Sequence, residues 1–87
     1  MPLKPLADCR LYAFVDTAYL NGRRPEDCAR ALCDGGADVI QWRAKGVAAG
    51  EVRRHAERLR PIAERAGVWL AVNDHPAIAQ AVGAPLC

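Results

Sequence analysis

At 87 residues the chain has room for one small domain and not for two, and a domain of this size buries only about 60–65% of the surface its unfolded chain exposes. Hydrophobic residues make up 52% and charged residues 25%, which is too apolar for intrinsic disorder, and no apolar run is long enough to span a membrane. Twelve Lys and Arg stand against ten Asp and Glu for a net +2, with bases and acids interspersed, so neither nucleic acid nor a membrane is an expected partner.

Residues 1–9, with Pro2 and Pro5, are expected to form a loose extension ahead of a domain over 10–87. The extension lacks the apolar stretch of a secretory signal, and a cytoplasmic location is the expectation. Leu11 to Val15 reads as a first strand. A helix should start at Pro25, which suits a first helical position, carry Glu26 and Asp27 at the positive end of its dipole, bury Cys28, Ala31 and Leu32, and stop at Gly35-Gly36. Asp38 to Trp42 forms the second apolar run.

From about Gly50 to Ala66, the residues Val52, Ala56, Leu59, Ala63 and Ala66 recur every three or four positions, while Glu and Arg take the remaining, solvated face. Pro61 interrupts this pattern at a cost of about 3 kcal/mol, so a kink or a restart is expected there. Val68 to Val72 is the third strand. A third helix from His75-Pro76 should bury Ile78, Ala81 and Val82 and end at Gly83, after which Ala84-Pro85-Leu86-Cys87 can open a fourth strand.

The strands recur at intervals of about thirty residues, the length of one βαβ unit, so the sequence predicts an α/β fold with parallel strands. A (β/α) barrel needs about 200 residues or more. This chain therefore reads as a partial TIM barrel, roughly its first three βα units, with open sheet edges through which self-association is expected. The four cysteines match no zinc spacing and read as small apolar side chains.

In parallel α/β folds ligands bind at the carboxyl ends of the strands. Gln41-Trp42-Arg43-Ala44-Lys45 lies at one such end. Period-two alternation places Gln41, Arg43 and Lys45 on the face turned to the barrel axis and Trp42 and Ala44 on the helix side. Two cations and an amide gathered at the catalytic end call for an anion, and three such donors suit a diphosphate. The other reading of the same spacing ends the strand at Trp42 and leaves Arg43 and Lys45 as solvated loop charges.

Asn73-Asp74 follows the neighbouring strand, about 4.8 Å away, and can share that ligand. Asp74 is a hard oxygen donor suited to Mg²⁺, and Asn73 can donate to a phosphate. Helix capping ahead of Pro76 explains the same pair without any ligand. His55 and His75 are assigned no catalytic role, and Trp42 and Trp69 are read as packing residues.

Taken in order, Leu11-Tyr12, Gly35 through Lys45, Val72-Asn73-Asp74 and Ala79 through Ala84 closely resemble the thiamine phosphate synthases. The resemblance runs from Arg10 to Ala84, and the Gln-x-Arg-x-Lys strand end followed about thirty residues later by Asn-Asp is its most specific feature. It implies a transferase of thiamine biosynthesis that joins hydroxymethylpyrimidine diphosphate to thiazole phosphate, releasing pyrophosphate, with no redox cofactor. It implies that Gln41, Arg43, Lys45 and Asn73 contact the pyrimidine diphosphate, Arg43 and Lys45 acting on its phosphates as the catalytic cations, and that Asp74 binds Mg²⁺.

Trp42, Ala44, Gly46 and His75 stand where that family commonly has Leu, Glu, Asp and Arg. The family continues from Ala84 into strands that carry a second acidic metal ligand and the thiazole phosphate site, so the chain alone is expected to be inactive. The competing readings are a thiazole tautomerase of the same barrel type and a non-enzymatic phosphate-binding remnant.

Overall fold

The computed structural model describes residues 2–86. Three strands, β1 (Tyr12–Asp16), β2 (Val39–Arg43) and β3 (Trp69–Val72), form one parallel sheet in the order β1-β2-β3. They alternate with helices α1 (Pro25–Asp34), α2 (Ala49–Ala66) and α3 (Pro76–Val82), which gives the expected three βα units of a partial barrel. Each of the first two strands runs one residue further than its apolar run: Leu11 lies below β1, where its carbonyl accepts from Asp38 and Val39, while Asp16 and Arg43 close the strand tips as register partners.

The helices cover one face of the sheet. Val15, Ile40, Trp42, Leu70 and Val72 are buried there against Val52, Ala56, Leu59 and Ala63 of α2. Trp42 is fixed on this side, its Nε1–H donating to the Val52 carbonyl at 3.1 Å and its ring meeting the edge of His55 at a centroid distance of 5.7 Å. On the opposite face Tyr12 and Phe14 are 55% and 53% exposed. Among the described residues the outer edge of β1 is unpaired, whereas beside β3 Leu86 bridges Ala71 in parallel, where the fourth strand is expected. Cys87, the last residue of that expected strand, lies outside the described residues, as does Met1.

Three helical expectations need correction. Of the kink or restart expected at Pro61, the restart does not occur: α2 runs as one helix from Ala49 to Ala66. Proline removes only one backbone hydrogen bond, and the apolar stripe continues on both sides of it, with Leu59 and Ala63 buried against the sheet. In α1 the buried residues are Pro25, Glu26, Cys28 and Ala29, with Leu32 half-buried and Ala31 exposed, because Ala31 lies on the far side of a stripe running through Ala29. In α3 Ala79 is buried between half-buried Ile78 and Val82, and Ala81, about 200° round the helix from Ala79, faces out.

Burial of Glu26 has a visible cause: His55 Nδ1 donates to its carboxylate at 2.8 Å, joining α1 to α2. Of the cysteines, Cys28 is buried while Cys9 and Cys33 are half-buried, all three as free thiols. No helix among the described residues is long and apolar enough to cross a membrane.

Candidate functional site

The carboxyl ends of the strands bring the predicted residues to one edge of the sheet. Arg43 is the last residue of β2 and pairs in register with Asp16, so it belongs to the strand and is not a loop charge. Its side chain is 40% exposed and its Nε lies 3.8 Å from Asp16 Oδ2. Gln41 is half-buried on the same face, paired with Phe14 and Ala71. Trp42 and Ala44 are buried on the helix side, as alternation requires. Lys45 lies two residues past the strand, exposed, without an ion pair among the described residues.

Beyond β3 the ladder continues for one more bond, the Asn73 amide donating to the Trp42 carbonyl at 2.9 Å. Asp74 then adopts the left-handed conformation, with φ of 63°, which Asp and Asn tolerate better than other non-glycine residues. This bend hands the helix cap to His75, which makes no side-chain capping bond. Neither Asn73 nor Asp74 therefore caps α3, and their side chains instead bond to each other, Asn73 Nδ2 donating to Asp74 Oδ2 at 3.0 Å.

Two adjoining cavities flank the strand tips. One of ≈ 290 Å³ is lined by Asp16, Thr17, Ala18, Tyr19, Arg43 and Lys45. The other, of ≈ 250 Å³, is lined by Ala44, Lys45, Gly46, Val47, Asn73, Asp74 and His75. Lys45 belongs to both, so a cation stands between the Arg43 side and the Asp74 side, while Gln41 lines neither. The edge can receive an anionic ligand along two cationic side chains and an amide.

A divalent cation would find no group of three or more His, Cys, Asp or Glu among the described residues, and of the two carboxylates at this edge Asp16 faces the Ala18 amide and Arg43, which leaves Asp74. The donor chemistry fits Mg²⁺ in the form in which it keeps its waters and takes one carboxylate, here Asp74, together with phosphate oxygens.

Sequence reasoning missed Asp16. With the first strand drawn to Val15, the residue fell just outside the strand-end rule that located the others. Its Oδ1 accepts from the Ala18 amide at 2.9 Å at the start of a 3-10 turn, Thr17–Tyr19.

Comparison with known proteins agrees with this architecture. Residues 11–86 match the family profile described as thiamine monophosphate synthase. The chain is 40% identical over 77 residues to the thiamine-phosphate synthase of Herpetosiphon aurantiacus, covering 88% of this chain and 37% of that protein. It is 37% identical over 84 residues to the thiamine-phosphate synthase of Chloroflexus aurantiacus, covering 97% of this chain and 39% of that protein. Among solved structures, a thiamine phosphate pyrophosphorylase from Pyrococcus furiosus superposes with a TM-score of 0.79 at 26% identity, over 87% of this chain and 36% of that one. The chain thus spans well under half the length of the relatives it matches.

Proposed function

Since this chain belongs to the thiamine monophosphate synthase family, we propose that it forms the diphosphate-binding part of a transferase in thiamine biosynthesis, acting on hydroxymethylpyrimidine diphosphate and thiazole phosphate in the cytoplasm. Arg43 and Lys45 hold the diphosphate oxygens, Gln41 and Asn73 donate hydrogen bonds to the same substrate, and Asp74 holds Mg²⁺. When bound, Mg²⁺ supplies further charge neutralisation on the departing diphosphate.

In the reaction the bond between the pyrimidine methylene carbon and the diphosphate oxygen breaks, and its electron pair leaves with the diphosphate. The thiazole nitrogen then donates its own pair to that carbon. Negative charge gathers on the leaving group, so cations placed there lower the barrier. Arg43, with its planar fork, and Lys45, a compact charge, are the groups of this chain suited to that task.

One observation supports the reading above the others: Asn73 and Asp74 do not cap the helix they precede, and they line a cavity together with Lys45. Isothermal titration of pyrophosphate with Mg²⁺ into the 87-residue chain tests it. Saturable heat is expected, and its absence would overturn the reading. We further propose that the chain self-associates through the outer edge of β1, unpaired among the described residues, beside exposed Tyr12 and Phe14. Gel filtration should show species larger than a monomer, with a shift toward smaller species on dilution.

A further inference from the structure

Building on the reading of this edge as a diphosphate cradle, we infer that Asp16 is a positioning residue that orients the Arg43 guanidinium toward the anion. The parallel register sets the two residues side by side at adjacent strand tips. The Asp16 carboxylate is mostly withdrawn, its side chain 13% exposed, while the Arg43 side chain is 40% exposed, so the anion side of the pair is the anchored one. Its anchor is the Ala18 amide, which occupies Oδ1 at 2.9 Å and leaves Oδ2 for Arg43 Nε at 3.8 Å.

An ion pair at 3.8 Å on the Nε side, looser than a hydrogen bond, leaves the terminal nitrogens of the guanidinium available, and these have no partner among the described residues. The pair lines one cavity with Lys45, so the freed fork and the ammonium meet the same space. A long side chain that must be ordered by its ligand lowers affinity by about three- to tenfold relative to one already in place. Asp16 removes that loss. Its own charge stays turned toward the Ala18 amide and the Nε side of Arg43.

Asp16→Asn separates the two duties of the side chain, because an Asn oxygen still accepts from Ala18 while the charge facing Arg43 is gone. Two readouts on the 87-residue chain test the inference. In ¹⁵N-edited NMR, the Nε–H signal of Arg43, identified by its loss in Arg43→Ala, should stand apart from those of the exposed arginines and merge with them in Asp16→Asn, with the Ala18 amide signal staying in place. In titrations with Mg²⁺ and pyrophosphate, Asp16→Asn should weaken binding by about three- to tenfold, and should change nothing further when Arg43 is already Ala.

An Arg43 signal indifferent to Asp16→Asn, tighter binding by that variant, or an equal loss in the Arg43→Ala background would overturn the inference. If Asp16→Asn releases the Arg43 signal but the native chain binds no pyrophosphate, the orienting role stands and the diphosphate reading of the site falls.

Discussion

The two ends of the sheet treat their charges in opposite ways. At the amino end, Asp38 is fully engaged: its Oδ1 accepts from Lys4 Nζ at 2.8 Å, and its Oδ2 from the amides of Arg10 and Leu11 at 2.8 and 3.1 Å. Trp69 Nε1 adds a bond to the Lys4 carbonyl at 2.8 Å, so the stretch before β1 is held against the starts of β2 and β3. At the carboxyl end, Arg43 has one loose ion pair and Lys45 none among the described residues. Saturated polar groups stabilise a fold and leave nothing for a ligand, whereas donors kept short of partners can bind one. The same strands thus serve stability at one end and recognition at the other.

The layer between the ends should show no such division. Trp42→Ala would open a cavity beneath both, at a cost of about 3–5 kcal/mol, most of the stability available to a domain this small. Urea denaturation should find the variant largely unfolded, with pyrophosphate binding lost alongside. His55→Ala ranks next, since it removes the one side-chain partner that the buried Glu26 carboxylate has among the described residues, at about 2–3 kcal/mol. His55→Gln, which can still donate, should recover part of that in the same denaturation experiment.

Arg43→Ala sharpens the contrast from the recognition end. Losing one charge-assisted contact should weaken binding of Mg²⁺ and pyrophosphate by about 2 kcal/mol, roughly thirtyfold. The melting temperature should hardly move, because substitutions of half-exposed, loosely paired groups stay within about 0.5 kcal/mol. A large fall in stability would mean that the two ends are not separate in function.

The recognition end was more legible in the sequence than the stabilising one. Alternation through Gln41, Trp42, Arg43 and Ala44 carries directional information because bulky and charged residues alternate, and burial of Trp42 and Ala44 follows it. Asn73-Asp74 was ambiguous for a physical reason: the residues that cap helices also bind phosphates and cations, and only the backbone bend at Asp74 shows that His75 takes the cap. The contacts of Asp38 with Lys4, Arg10 and Leu11 join residues far apart in the chain and leave no periodic trace. Glu26 was read only as an acid at the positive end of the α1 dipole and His55 only as a residue without a catalytic role, because the bond between them exists only once the two helices meet. Ala31 and Ala81 were misplaced because a lone methyl marks a helix face too weakly.

The smallest effect belongs to the amino end and depends on pH. The Lys4 hydrogen bond, reinforced by the amides of Arg10 and Leu11, holds the Asp38 carboxyl well below the usual carboxylate range, and the same contact raises Lys4 above its ordinary value of 10.5. A carboxyl whose folded value is depressed contributes stability that is present above its unfolded value of about 3.9 and is lost as pH falls through the folded one. A lysine whose folded value is raised contributes below about 10.5 and loses that contribution as pH rises further. The pair should therefore act evenly from about pH 5 to 9. Asp38→Asn, followed by thermal melts, should lower the melting temperature by the same small amount across that window, and by progressively less below about pH 4. A difference that stayed constant as the pH fell well below 4 would show that the contacts of Asp38 do not depend on its charge, and that the amino end is held by packing instead.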